Sequence, residues 1–405
     1  MAIDHRKLGR ELDLFDSDPL IGSGLPFWLP AGAAARHEVE AYLYDLERRH
    51  GYQHVYSPAL GKRAMYELSG HWRNFADDMF PPMNLGEDLV LRPSLCPHHA
   101  LIFKSRQRSY RDLPLRIAEL GPMYRAERSG VLGGLQRVRS VQLNDAHLFC
   151  APDQVGDEVA GVLRLMRQAH AALGVRVSAV RLSLRGESGK YAGDEEGWHW
   201  SEKVLRAALD AAGQSYAEAP GEAAFYGPKI DVQIEDSAGR ESTLATVQLD
   251  FHQPAAFDLA YRDASGGQSR PVMIHRSLAG SMERLFAHLI EVHEGAFPVW
   301  YAPVQVAVVP VGDAQGAAAE AFVRQALAAG LRASVDHDGS VGLRIRAAAQ
   351  RKIPFVAVLG EREAAAGRVA LRLRDGRQLP AVAVAEAIAL IAQEAAAGHG
   401  RPVTA

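Results

Sequence analysis

Apolar residues follow one rhythm before residue 300 and another after it. In the stretch 30–49, Val39, Tyr42, Leu43 and Leu46 stand at i, i+3, i+4 and i+7, with Glu40, Glu47 and Arg48 off that stripe. The spacing predicts an amphipathic helix packed through one face. Met282, Leu285, Phe286, Leu289 and Ile290 repeat the pattern and leave Arg284 off the buried face, free to meet a ligand. Elsewhere before residue 300, strands and helices mix without regular alternation. That predicts an α+β arrangement, an antiparallel sheet with flanking helices, over a doubly wound fold.

From residue 304 the elements alternate. VQVAVVPV reads as a buried strand, AAAEAFVRQALAAG as a helix closed by Gly330, and LRASVDHD as a strand. VGLRIRAAAQRKI then reads as a helix, PFVAVLG and RVALRLRD as strands, and AVAVAEAIALIAQEAAAG as a closing helix. This predicts a small α/β domain with a mixed sheet. The aromatic and proline-containing link FPVWYAP at 297–303 separates the two patterns. The expected units are therefore 1–300 and 301–405. No internal repeat is visible.

Composition narrows the class. With 405 residues, 48% apolar and 23% charged, the chain has ordinary globular proportions and length for sizeable cores. No apolar run approaches the ~20 residues of a membrane span. The first residues, MAIDHRKLGRELDLFD, lack the apolar core of a signal peptide. Two cysteines, Cys96 and Cys150, make no disulfide framework. The expectation is a cytoplasmic protein with no membrane partner. From Pro303 onward 12 Lys and Arg stand against 9 Asp and Glu, within a net charge of -3 for the whole chain. That mild basic bias could meet a polyanion, but on charge alone it reads first as ordinary solvated surface.

Candidate chemistry begins with arginine. MYRAE sets Arg125 and Glu127 two apart after an apolar run, and GSMERLF sets Arg284 at the start of an amphipathic helix. Guanidiniums grip phosphate oxygens in a planar fork, and a carboxylate accepts from a base amine. No G-x-x-x-x-G-K-[ST] occurs, so phosphates are not held by a P-loop. On its own Arg-x-Glu is a weak signal and reads first as a surface salt bridge. Cys96, His147 and His275 lie far apart along the chain, without local metal-ligand spacing. Each alone also reads as a buried thiol or a core histidine.

The motifs in sequence point further. RIAELGPMYRAERSGVLGGLQRVRSVQLNDAHLFC resembles motif 2 of the threonyl enzymes among the class II aminoacyl-tRNA synthetases, and PVMIHRSLAGSMERLF resembles motif 3. PFWLPAGAAARHEVEAYLYDLERRHGYQHVYSPAL resembles motif 1, closing at Pro58. SGHWRNF, LRPSLCPHH, YRDLPLRIAE, AFYGPKIDV and TVQLDF follow the family's order, and the region after 301 resembles its anticodon-binding domain.

The resemblance implies ATP-dependent formation of threonyl-adenylate and transfer to tRNA by a homodimer joined through motif 1. It implies Zn²⁺ on Cys96, His147 and His275, with the fourth position left to the amino group and β-hydroxyl of the substrate. A metal demanding a β-heteroatom rejects valine, which an apolar pocket does poorly. Asp145 is implied as acceptor for the substrate hydroxyl; a partner of His147 is the other reading. Arg125 is implied at the α-phosphate, Glu127 at the adenine amine and Arg284 at the γ-phosphate, with Arg137 adding phosphate contacts and Mg²⁺ accompanying ATP. Tyr226, Lys229 and Gln248 are implied around the amino acid and ATP, and His71 in passing the aminoacyl group to the terminal ribose. Glu363 and Arg372 are implied as base contacts.

Four positions depart from the family pattern. Ser94-Leu95-Cys96-Pro97-His98-His99 stands where Met-Asn-Cys-Pro-Gly-His is usual. Leu143 stands for a glutamine, Gly133 for a histidine, and the turn Asp338–Gly342 lacks a basic residue. No editing module is expected before the core. Two alternatives stay open: a paralogue activating threonine or another β-substituted amino acid for a different acceptor, and a catalytically silent RNA-binding regulator.

Overall fold

The Val39 stripe buries as its spacing predicts. Helix α1 (Pro30–Arg49) opens on a proline at its first position, where the missing N–H costs nothing. Val39, Tyr42, Leu43 and Leu46 are all buried, each aliphatic side chain contributing roughly 1.5–3 kcal/mol. The computed structural model describes residues 3–187 and 191–398, so the last residues of the 301–405 unit lie outside the described ones. Among the described residues, no helix is long and apolar enough to cross a membrane.

One eight-stranded sheet organises the first unit. Its strands are β1 (Gln53–His54), β2 (Leu115–Tyr124), β3 (Ser140–Cys150), β4 (Val177–Leu184), β5 (Ala217–Pro220), β6 (Lys229–Glu235), β7 (Glu241–Asp250) and β8 (Val272–Ser277). The order across the sheet is β5-β4-β6-β7-β8-β3-β2-β1, antiparallel except for the outermost pair at each edge. Helix α2 (Cys96–Lys104) carries the first cysteine, α3 (Val155–Leu173) packs with α1, and α4 (Met282–Val292) follows β8. Met282, Leu285, Phe286, Leu289 and Ile290 are fully buried and Arg284 only partly so, as the periodicity predicts. The fold class is the expected α+β one.

One expectation fails. Glu47 reads as an outward residue of α1, yet only 2% of it is exposed. Its Oε1 accepts from Asn144 Nδ2 at 2.8 Å and lies 2.8 Å from Arg276 Nη1, and its Oε2 is 2.7 Å from His54 Nε2. Arg276 is itself fully buried on β8, and a buried guanidinium demands a counter-charge. Periodicity within one helix cannot see that demand.

The second unit has its own core around Val306, Phe322, Phe355 and Ile391. Strands β9 (Val306–Pro310), β10 (Ala333–Val335), β11 (Phe355–Leu359), β12 (Arg368–Leu373) and β13 (Val382–Ala383) run in the order β10-β9-β11-β12-β13. The first three are parallel and the last two antiparallel, the mixed sheet that the alternation predicts. Helices α5 (Gly316–Ala328), α6 (Val341–Gln350) and α7 (Val384–Gly398) pack against it. The stretch read as one closing helix starts with β13, because Val382 pairs with Val369 before the chain turns helical. Arg332 ties the unit to the first one. It donates to the carbonyls of Trp300 at 2.7 Å and Ala302 at 2.9 Å and pairs with Glu38 of α1 at 2.7 Å.

Candidate active site and metal centre

Strand register assembles the site. Lys229 stands opposite Gln248, Gln248 opposite His275, and His275 opposite His147. Directly opposed residues share a face, so four side chains from β6, β7, β8 and β3 form one transverse row. Asp145 sits two residues before His147 and therefore on the same face. Cys96 comes from outside the sheet, as the first residue of α2, where a helix N-terminus favours a thiolate.

The three expected metal ligands converge. One ligand atom from each of Cys96, His147 and His275 lies within 4.8 Å of the others, and all three residues are buried. His147 Nε2 is 3.0 Å from His275 Nδ1. The other nitrogen of His275, Nε2, faces Asp250 Oδ2 at 2.8 Å, and Nδ1 of His147 faces His99 Nδ1 at 2.7 Å. Both rings thus have their outer nitrogens engaged and their inner nitrogens turned on each other. Two neutral imidazoles so arranged oppose lone pair to lone pair, and only a positive centre between them relieves it. In the free chain a proton serves: despite burial, hydrogen bonds donated to Asp250 and Cys96 push His275 up to about 10. A divalent cation would satisfy both nitrogens and the thiolate together. The soft, borderline donor set of one sulfur and two imidazole nitrogens, backed by a carboxylate on one ring, fits Zn²⁺.

Charges around the cluster are tuned in the same sense. Burial alone would raise Cys96, but the electrostatic influence of His71 and close contact with the His147, His275 and His71 rings bring it well below the ordinary thiol value. Burial lowers His147 well below the usual imidazole value and raises Asp145 to about 7. Asp145 Oδ2 lies 3.8 Å from His147 Nε2, between the cluster and the cleft. His71 opens a short helix (His71–Phe75) and is buried. Its Nδ1 is 2.8 Å from Ser69 Oγ and its Nε2 is 3.5 Å from Cys96 Sγ.

A cleft of about 260 Å³ opens over the row, lined by Arg125, Leu143, Asp145, Gln248, His275 and Arg284 among others. It adjoins a wider one of about 650 Å³ that adds His71, Glu127, Arg137 and Lys229. Tyr226 joins both, its hydroxyl donating to Gln248 Oε1 and its ring stacked on His275 at 4.9 Å. Lys229 pairs with Asp231. Arg284 donates to the carbonyls of Thr243 at 2.7 Å and Gln136 at 3.3 Å. Burial, with Arg125 and Arg137 nearby, lowers its guanidinium from the ordinary value, which marks a concentration of positive charge. Arg125 is exposed and has no ion-pair partner among the described residues. Arg137 pairs with Glu127 at 2.8 Å, so these two expected ligand contacts hold each other in the free chain.

The divergent positions separate. Ser94 lines the cleft, with its Oγ 2.9 Å from Cys96 Sγ, and Leu143 lines it opposite Ser281. Leu95 is fully buried instead and packs over Gly121. Sequence reasoning missed Asp250 and His99. The signals available were the carboxylate in TVQLDF two residues after Gln248, and the second histidine of CPHH.

A class II synthetase sheet with cationic cleft and metal-ligand cluster is what the geometry defines. The family model for the tRNA synthetase class II core domain (G, H, P, S and T) matches residues 81–293, and that for the anticodon binding domain matches 305–394. The chain belongs to the threonyl-tRNA synthetase family. It is 50% identical over 374 residues to threonine--tRNA ligase 1 of Bacillus subtilis, covering 91% of this chain and 58% of that relative. The chain thus spans less than two thirds of the length of such relatives. The crystal structure of the RNA binding domain of threonyl-tRNA synthetase from Cryptosporidium parvum superposes with a TM-score of 0.93 at 34% identity, covering 97% of this chain and 98% of that one. Putative threonyl-tRNA synthetase ThrRS-1 from Aeropyrum pernix gives 0.85 at 27% identity, covering 98% and 97%.

Proposed function

We propose that this chain activates threonine with ATP and transfers it to the 3′ end of threonine tRNA, its 1–300 unit carrying the chemistry and its 301–405 unit reading the anticodon. The observation that carries this is a shared site: His275 of the Cys96, His147 and His275 cluster lines the same cleft as Asp145, Gln248, Arg125 and Arg284. A zinc ion held by that cluster supplies a Lewis acid that favours an amino acid bearing a β-heteroatom.

The remaining work belongs to side chains. Asp145 accepts from the substrate hydroxyl. Gln248, braced by Tyr226, lies beside the amino acid. The threonine carboxylate attacks the α-phosphorus of ATP and pyrophosphate departs; Mg²⁺ bound with ATP would offset the charge of the triphosphate. Arg125 stabilises charge growing on the α-phosphate, and Arg284 and Arg137 hold the departing end, while Glu127 accepts from the adenine amine. Lys229 borders the ATP side of the cleft. His71, near Cys96 and at the edge of the wider cleft, stands where the ribose hydroxyl must approach for transfer. Exposed Tyr44, Tyr56 and Leu60 within the motif 1 segment support a second copy packed there. Two free buried thiols fit a reducing cytoplasm.

A second reading keeps the chemistry and changes the substrate. Ser94 and Leu143 both line the cleft, so two of the divergent positions touch the amino acid pocket directly. ATP–pyrophosphate exchange across an amino acid panel, followed by tRNA charging, separates the readings. Zinc analysis accompanies it: one zinc per chain is expected, and Cys96→Ala should lose metal and exchange while staying folded. A purified protein active without zinc would overturn the metal assignment.

A further inference from the structure

The cluster's His147 is gripped from behind by a buried chain of four residues that touch no part of the cleft. Glu119 Oε1 receives Arg92 Nη2 at 2.9 Å and the Ser57 amide at 3.2 Å, and its Oε2 receives Ser57 Oγ at 2.6 Å. Arg92 Nη1 donates in turn to Ser57 Oγ at 2.6 Å, which leaves that hydroxyl proton for Glu119. Glu119 Oε2 lies 3.1 Å from His99 Nε2, and His99 Nδ1 lies 2.7 Å from His147 Nδ1. Arg92 and His99 are wholly buried and Glu119 is 3% exposed, so water cannot substitute for these three, while Ser57 is half-buried.

Donor and acceptor roles along this chain run in one direction. A carboxylate beside a buried guanidinium is ionised, hence an acceptor only. As a neutral ring, His99 therefore carries its one proton on Nε2 and presents a lone pair at Nδ1. That lone pair requires a proton on His147 Nδ1, and the requirement leaves His147 Nε2 bare, aimed at His275 and Cys96. The second ligand is fixed differently, by direct contact of His275 Nε2 with Asp250, whose carboxylate is itself held by the amide and side chain of Gln253. We infer that Ser57, Arg92, Glu119 and His99 are positioning residues that set the tautomer and ring orientation of His147, so that metal affinity is controlled from the segment closing motif 1. This rests on the metal reading above for its functional consequence, while the tautomer itself is a property of the metal-free chain.

The test has two arms. Metal-stripped parent, His99→Phe and His99→Gln are titrated with Zn²⁺ against a chromophoric chelator. Loss of a buried partner of a ligating histidine should weaken affinity about 10–100-fold in His99→Phe. His99→Gln, whose amide oxygen accepts from His147 and whose amide nitrogen donates to Glu119, should recover most of it. A merely structural role would not distinguish acceptor from ring, and thermal unfolding of the metal-free forms checks the fold. The second arm needs only the parent: long-range ¹H–¹⁵N spectra of histidine-labelled, metal-free protein should show His147 protonated on Nδ1. An Nε2-protonated His147, or His99→Phe binding zinc as tightly as the parent, overturns the lock. A parent that binds no zinc yet shows the Nδ1 tautomer overturns the metal reading and leaves the tautomer lock supported.

Discussion

Replacing Glu47 by alanine should destabilise the first unit by about 3–5 kcal/mol, the range for stranding one partner of a buried ion pair. The structure sets that magnitude near the top of what single substitutions do. Arg276 is 0% exposed, and its other neighbour is the Tyr52 ring at 4.3 Å. Without Glu47 the guanidinium keeps a cation–π contact worth about 2 kcal/mol but loses its paired carboxylate. Asn144 Nδ2 and His54 Nε2 lose their acceptor as well. Urea unfolding followed by tryptophan fluorescence is a suitable assay, because all 5 tryptophans lie at or before Trp300 and report on this unit. The double variant Glu47→Leu, Arg276→Met removes both charges and should regain most of the loss, since apolar replacement of a whole buried pair is often neutral or stabilising. A Glu47→Ala cost below about 1 kcal/mol, or a double variant no better than the single one, would refute the argument. Asn144 precedes Asp145 and Arg276 follows His275, so weaker metal binding should accompany the loss.

Other expectations follow from single contacts. A Cβ on Gly227 would meet Leu249 O at 1.8 Å, so Gly227→Ala must push the backbone away from β7 beside Tyr226 and Gln248; destabilisation of about 1–3 kcal/mol and a raised KM for the amino acid are expected from unfolding curves and exchange kinetics. Burial holds His288 down at about 4 from its ordinary 6.5, so the unfolded chain takes a proton first as pH falls. Stability is full above about 6.5 and declines toward 4, by about 2 kcal/mol at pH 5; His288→Gln should flatten that slope in paired urea titrations at pH 7 and pH 5. Serine should be activated within a few hundred-fold of threonine, since one methyl is worth only about 1–3 kcal/mol, while valine stays silent. Efficient exchange with valine would sink selection by a metal-bound β-heteroatom.

Helical stripes were legible because neighbours at i, i+3 and i+4 share a face whatever surrounds them. Val39 to Leu46 and Met282 to Ile290 needed no other information. The alternation after residue 304 likewise carried the mixed sheet, since strand and helix periods differ. The candidate ligands were legible only as types within motifs; nothing in their spacing joined them. Sheet register did that, by setting Lys229, Gln248, His275 and His147 opposite one another across four strands. Pairing partners distant in sequence are chosen by the whole sheet, and no local pattern encodes them. Burial of charge was decided at the same level. Glu47 and Glu119 look like surface residues in any window of their own chain, and become buried acceptors only because Arg276 and Arg92 arrive from elsewhere and cannot remain unpaired in a medium that excludes water.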